Sequence, residues 1–254
     1  MKTFQIVFSP TGGTEKISYI FAETFGKEVK KVDLSMNNTD FSDITITADD
    51  ICIIAVPSFG GRVPAIAAER LSAIKGNNAK TVLIAVYGNR EFEDTLVELN
   101  DVAVKAGFKP IAAVSAIAEH SIVRKFAAGR PDAEDCDELK KFAHNIFEVI
   151  HANKSGELKI PGNRPYKERG GAAAKPAADS SCIGCGVCAE KCPVGAISKD
   201  NPSQTDNDAC ISCMRCISVC PNNSRQVNPA IITAVTQKLA PVCSARKQNI
   251  LYLV

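Results

Sequence analysis

Eight of the eleven cysteines in this 254-residue chain fall between Cys182 and Cys220. They form two copies of one pattern, "CIGCGVCAEKCPVGAI" from position 182 and "CISCMRCISVCPNNSR" from position 210, offset by 28 residues. Both copies read C-x2-C-x2-C-x3-C-P. Thiolates at this spacing lie on a tight loop that wraps an iron–sulfur cubane, so the chemistry expected here is one-electron transfer. A zinc ribbon would use two C-x2-C pairs set further apart and no C-x3-C-P. Gly184 and Gly186 leave room for backbone N–H groups to approach cluster sulfur, and Pro193 and Pro221 redirect the chain after the fourth cysteine of each copy.

Residues 181 to about 225 resemble the bacterial double-cluster ferredoxins. The resemblance implies two [4Fe–4S] clusters with crossed ligand sets, because the fourth cysteine of each copy serves the other cluster. Cys182, Cys185, Cys188 and Cys220 would hold one; Cys210, Cys213, Cys216 and Cys192 would hold the second. The first copy ends "CPVGAI", as the family does, whereas the second ends "CPNNSR". That departure predicts a wetter environment around the set containing Cys220, with an effect on its potential.

A second stretch with chemical content opens the chain. The apolar run "FQIVF" leads into "SPTGGTEK", Ser9 to Lys16, and then into a helical pattern. A Gly- and hydroxyl-rich turn at a helix N-terminus can hold a phosphate through free N–H groups and the helix dipole. It has neither the GxxxxGK[ST] nor the GxGxxG spacing. It resembles the flavodoxin phosphate loop, with Ser9, Thr11 and Thr14 as hydroxyls and Gly12 and Gly13 supplying backbone N–H groups; Gly13 stands where that family often has Asn. A plain helix cap is the alternative for the turn taken alone. Two further loops fall where the flavodoxin family places its flavin contacts, at the C-terminal ends of strands. One is Pro57, Ser58, Phe59, Gly60 and Gly61; the other is Tyr87, Gly88 and Asn89. The resemblance implies FMN, with Phe59 covering the ring and the Gly60–Gly61 peptide turned toward it.

The elements that must position these residues read as strands at 4–9, 28–34, 50–57, 80–88 and within 108–120, alternating with helices at 15–26, 62–74, 91–107 and 132–153. The runs 50–57 and 80–88 are continuously apolar, as expected of strands buried on both faces. The order argues an α/β fold, a doubly wound parallel five-stranded sheet of flavodoxin-like form, followed by a small α+β two-cluster domain. The expected division is 1–152 for the flavin domain, 153–180 for a Gly/Pro/Ala/Lys-rich linker, 181–225 for the cluster domain and 226–254 for a tail. That tail holds a helix at 229–240, capped by Asn228 with Pro229 at its first position. The closing "NILYLV" is expected to pack back, as an edge strand or against the linker. The whole chain then resembles the flavodoxin–ferredoxin fusions of anaerobic microbes.

Charge is uneven. Residues 1–150 carry 17 Lys and Arg against 21 Asp and Glu, whereas 151–254 carry 13 against 7. Two oxidised clusters with four thiolates each would add roughly four negative charges, so the basic half reads as local compensation. No aromatic residue interleaves with the basic ones there, which argues against nucleic acid. No apolar run is long enough to span a membrane and no signal peptide is evident, so a cytoplasmic protein is expected. Cys52, Cys136 and Cys243 lie outside the motifs and read as packed or unremarkable thiols. The functional expectation is a low-potential electron carrier joining FMN to two [4Fe–4S] clusters, with redox proteins as donor and acceptor and a homodimer as one option for its assembly. No catalytic residue is assigned. The alternative is a flavin-dependent oxidoreductase acting on a small substrate, for which Arg62, Asn89, Arg90, Glu119 and His120 lie near the expected flavin edge.

Overall fold

A computed structural model describes residues 2–154, 156–171 and 174–254 of the chain. Five parallel strands, β1 (Thr3–Val7), β2 (Val29–Asp33), β3 (Ile51–Pro57), β4 (Lys80–Tyr87) and β5 (Lys109–Ile117), alternate with helices α1 (Gly13–Phe25), α2 (Ala65–Ser72), α3 (Thr95–Lys105) and α4 (Ala133–His151). Their order in the sheet is β2-β1-β3-β4-β5. The order reverses at β1 and β3, which is the flavodoxin-type switch point where a doubly wound sheet opens a crevice. Central strands bury both faces: Ile6 lies between Val32 and Ile54 in register, and β3 is buried from Ile51 to Val56.

Two apolar layers close the sheet. Ile17, Phe21, Leu139 and Ile146 of α1 and α4 pack with Ile53, Ile84 and Val114 on one face. Leu71 of α2 and Leu96 and Leu99 of α3 pack with Phe4, Ile54 and Leu83 on the other. Alternate residues of each strand therefore face opposite helix layers, as the pleat requires. The helix before the last parallel strand pair starts without a side-chain cap, but α4 has a reciprocal box: Asp132 accepts from the Asp135 N–H at 3.1 Å and Asp135 from the Asp132 N–H at 3.0 Å.

The C-terminal third adds β6 (Ala177–Ala178), α5 (Val187–Glu190), α6 (Arg215–Ser218), β7 (Arg225–Gln226), α7 (Pro229–Cys243) and β8 (Ile250–Leu253). β6 and β7 pair antiparallel and close the cysteine-rich module; β8 pairs antiparallel with β5 and makes a sixth strand. The sheet is thus the expected five-stranded one with an added edge formed by the tail. α7 runs beyond the expected end at 240, through Pro241 to Cys243; a proline so near the helix end removes one backbone bond and little else.

Residues 157–169, expected as linker, lie as a strap across α3. Arg164 bonds Asp101 at 2.7 and 2.6 Å, Asn163 and Lys167 donate to the buried Asp94, and the Arg62 guanidinium sits 4.8 Å over the Tyr166 ring. Ser155, Ala172 and Ala173 of that expected linker lie outside the described residues.

Candidate functional site

A large cavity of about 510 Å³ lies at the C-terminal ends of β1, β3, β4 and β5. Thr11, Gly13 and Thr14 line one end, Pro57 to Gly60 and Tyr87–Gly88 the middle, and Glu119, His120 and Ile122 the far side. Gly12, at φ 90°, ends the loop in a left-handed conformation and lets α1 begin at Gly13. The N–H groups of Gly13 and Thr14 have no acceptor among the described residues. A helix of 13 residues thus points free donors at the cavity end where a phosphate would sit.

The loop after β3 is a tight hairpin. Phe59 and Arg62 exchange backbone hydrogen bonds at 2.9 and 3.2 Å around Gly60 (φ 61°) and Gly61 (φ 86°). Positive φ at both central positions is the pattern of the two-residue hairpin turn. Phe59 contacts Phe8 edge-on, at 6.3 Å between centroids, and keeps part of its surface on the cavity. Tyr87 is 6% exposed, and burial pushes its phenol up to about 12.

Four expected flavin contacts are not on the cavity wall. The Ser9 hydroxyl accepts from the Glu15 N–H at 2.9 Å and so serves α1. Gly12 lies behind the wall at the helix cap, and Gly61 faces Glu93, whose side chain fills the space a Cβ would need. Asn89 is turned away altogether. Its amide donates to the carbonyls of Cys243 (2.7 Å) and Ala245 (2.8 Å), so it clamps the tail between α7 and β8. Local sequence could not show this, because its partners lie more than 150 residues away.

The residues considered for substrate contact also divide. Arg62 forms a two-point pair with Glu98, and Arg90 pairs with Glu93 at 3.0 and 2.9 Å. Only Glu119 and His120 reach the cavity, and Glu119 accepts from Arg124 and the Gly129 N–H. His120 Nδ1 accepts from the N–H groups of Ile122 (3.2 Å) and Val123 (3.1 Å), which leaves the ring proton on Nε2. Burial and then the Arg90 charge lower its pKa, so His120 is a neutral donor at neutral pH.

The remaining wall comes from the C-terminal third: Arg169 to Gly171, Lys175, Cys210 to Cys213 and Val235. The eight motif cysteines surround two smaller cavities. Cys182, Cys185, Cys188 and Cys220 line one; Cys192, Cys210, Cys213 and Cys216 line the other. Among the described residues no three His, Cys, Asp or Glu side chains converge closely enough to ligate one metal ion. Sulfurs spread around a cavity suit a multi-iron cluster, in which each thiolate binds a different iron. Burial pushes the thiols of Cys213 to about 12 and Cys216 to about 11, with the Arg225 guanidinium opposing the latter. Such thiols ionise on binding metal. Burial also acts on Cys220, but N–H groups from Asn222, Ser224 and Arg225 outweigh it and hold its thiol below the ordinary value.

The expectation from "CPNNSR" holds for its first residues and not for its last: Pro221, Asn222 and Asn223 are exposed, as is Cys185 of the same set, whereas the two residues that follow turn inside. Ser224 is 1% exposed and Arg225 3%. Arg225 enters the sheet as β7, and its guanidinium is absorbed by Thr205 Oγ1 at 2.9 Å and the Pro202 carbonyl.

The cysteine module is fixed to the α/β body through the second cavity's ligand loop. Asn37 donates to the Cys192 carbonyl at 2.9 Å, Arg70 to the Pro193 carbonyl at 2.7 Å, Arg215 to the Ser35 hydroxyl at 3.2 Å and Ser218 to the Pro10 carbonyl at 3.3 Å. Ile211 packs against the body's core. Cys52 and Cys243 are buried thiols that burial pushes up, which leaves them as packing groups.

Residues 181–224 match the family model of the 4Fe-4S dicluster domain. The chain joins a flavodoxin-like fold to a 4Fe-4S dicluster domain. Among solved structures, rubredoxin oxygen:oxidoreductase from the anaerobe Desulfovibrio gigas is similar at 20% identity and a TM-score of 0.45, over 61% of this chain and 37% of that one. A flavodoxin of Streptococcus pneumonia TIGR4 matches at 22% identity and a TM-score of 0.40, over 57% of this chain and 98% of that one. The flavodoxin of Megasphaera elsdenii matches at 19% and 0.40, over 56% and 98%. No curated protein sequence matches the chain. Dicluster domains are redox modules, and no helix among the described residues is long and apolar enough to cross a membrane.

Proposed function

We propose that the chain is an electron-transfer protein that holds one FMN in the large cavity and two [4Fe–4S] clusters in the smaller ones, and that partner proteins supply and remove the electrons. When bound, the flavin accepts one or two electrons and each cluster accepts one. The observation that carries this reading is a shared wall: Cys210, Ile211 and Cys213 line both the large cavity and the cavity of the Cys192 set. A single loop thereby separates the two kinds of site.

The chain's own residues have definite tasks in this reading. Gly13 and Thr14 offer N–H groups, and Thr11 and Thr14 hydroxyls, to the FMN phosphate. Phe59 and Tyr87 border the ring. Asn37 and Arg70 hold the loop of Cys192 and Pro193 against the body, so that the cluster module is a fixed wall and does not swing. The Cys182 set lies on the outer side, where Cys185 is exposed and Ile183 is 69% exposed, and this is the natural outlet to a partner.

The test is cofactor content after anaerobic purification: about eight irons and eight sulfides per chain, with one FMN released by acid, is the expected result. Eight irons with no flavin after soaking in FMN would remove the flavin part. Rapid flavin reduction by NAD(P)H alone, mixed in stopped flow, would favour a substrate-converting enzyme, with the neutral Nε2–H of His120 as the available donor.

A further inference from the structure

The two motif copies place Ile197 and Arg225 at equivalent positions, 28 residues apart, each at the same step beyond the last cysteine of its copy. The structure keeps that equivalence. Ile197 is 4% exposed and lines the cavity of the Cys192 set; Arg225 is 3% exposed and lines the cavity of the Cys182 set. An apolar side chain at one cluster therefore has a buried guanidinium as its counterpart at the other.

That guanidinium has no carboxylate partner among the described residues. Nη1 donates to the Thr205 hydroxyl at 2.9 Å, Nη2 donates to the Pro202 carbonyl, and Nε has no acceptor. Burying a cation against neutral groups alone costs several kcal/mol, so the site calls for an anion. A cubane with four thiolates is one: it carries about two negative charges when oxidised and one more when reduced. A fixed positive charge in a medium of low dielectric favours the more negative state. Arg215 lines the other cavity and its Nε likewise has no acceptor, but its guanidinium also meets the Asp33 carboxylate at 3.9 Å and the Ser35 hydroxyl at 3.2 Å, so of the two cations only Arg225 lacks a carboxylate among the described residues.

We propose that Arg225 is the positioning residue that raises the reduction potential of the [4Fe–4S] cluster held by Cys182, Cys185, Cys188 and Cys220, with its Nε–H directed at cluster or thiolate sulfur. The inference rests on the cluster assignment above and not on the flavin. It gives the internal repeat a functional asymmetry: the outer cluster is inclined to hold the electron that the inner one passes on.

The test is a redox titration of the iron-loaded full chain, followed by electron paramagnetic resonance, with Arg225→Ile, Arg225→Gln and Arg225→Lys. Arg225→Ile makes the two copies alike. The expected result is a drop in one cluster's potential of at least tenfold in its reduction equilibrium, or 59 mV for a one-electron couple. The cluster of the Cys192 set, whose Cys216 thiol the same guanidinium also acts on, falls as well but by less, and Arg225→Lys retains most of the wild-type value. If Arg225→Ile loses iron, the pair Arg225→Gln and Arg225→Lys decides: a drop with Gln and not with Lys supports a charge effect, and equal potentials in the two overturn it. About eight irons in Arg225→Ile with unmoved potentials overturns the inference alone. A wild-type chain that carries zinc in place of iron overturns the cluster reading and this inference together.

Discussion

Arg70 offers the most direct probe of how the cysteine module is held. It lies in α2 of the body, and its guanidinium donates in two directions: to the Leu34 carbonyl at 2.7 Å within the body, and to the Pro193 carbonyl at 2.7 Å across the interface. Only the second bond joins the two parts. A hydrogen bond from a charged donor contributes about 1.5–3 kcal/mol, and each 1.4 kcal/mol is a tenfold change in equilibrium. Arg70→Met should therefore raise the undocked population about ten- to a hundredfold, and adding Asn37→Ala, which loses the bond to the Cys192 carbonyl, should raise it further. Hydrogen exchange reads this locally. Amides near Cys192, such as the Ala196 N–H that bonds Cys192 Sγ at 3.3 Å, should exchange faster, while those of β1 and β3 keep their protection. Loss of protection in β1 and β3 to the same degree would mean global destabilisation. Unchanged exchange around Ala196 in an iron-loaded variant would mean that the Pro193 contact does not hold the module. Either result refutes the reasoning.

Two further outcomes follow from the flavin cavity and the strap. In Gly88→Ala the new Cβ would stand 2.6–2.8 Å from the side chain and Cα of His120, and backbone cannot rotate out of the way. Overpacking of this kind costs about 1–3 kcal/mol, and if that cost falls on the cavity wall FMN affinity by fluorescence quenching drops by about fivefold or more; an affinity within twofold of wild type would place Gly88 away from the flavin. Asp94 is buried, which opposes its ionisation, but donors from Lys167 and Asn163 and the Arg62 charge hold its pKa below the usual carboxylate value. A depressed folded-state pKa contributes stability above the unfolded value near 3.9, and that contribution is lost as pH falls through the folded one. The strap should thus stay protected from proteolysis at pH 5 and be released only well below about pH 4; release already between pH 7 and 5 would show that some other group ties it down.

What the sequence disclosed, and what it withheld, follows the range of the interactions. Cysteine spacing and the two-face burial of "DICIIAVP" and "KTVLIAVYG" are local patterns, and the cavities and the parallel sheet agree with them. Thr14, Gly60 and Gly88 line the large cavity, because strand ends of this fold converge on one crevice. Asn89 was misread because its amide answers to carbonyls in the distant tail, and nothing near it in sequence carries that signal. Ile211, Lys175 and Val235 were missed as cavity wall for the same reason. The stretch "NNSR" divides by range: Asn222 and Asn223 stay at the surface as their polarity suggests, whereas pairing of β7 with β6 draws Arg225 inside, where carbonyl and hydroxyl oxygens meet its guanidinium.

The repeat shows how one ligand scaffold came to serve two environments. In the first copy, left-handed backbone is taken by Gly184 (φ 67°) and Gly186 (φ 77°), at little steric cost. The second copy keeps both turns at the equivalent positions but fills them with Ser212 (φ 54°) and Met214 (φ 62°). Left-handed backbone costs a side-chain-bearing residue about 1–2 kcal/mol, so each must return something in packing or contact. Met214 does: it is 3% exposed and packs with Ala174 and Val227, tying the motif to the strap's end and to the start of α7. Ser212 is 8% exposed, and its residue lines the large cavity between two cysteines of the inner set. Both copies touch the α/β body, the first through Cys192 and Pro193 and the second through Ile211, Arg215 and Ser218, but the side-chain-bearing left-handed positions lie in the second, which also lines the large cavity. Strain concentrates where a surface has to be shared, here between the cysteine loop and the cavity it closes.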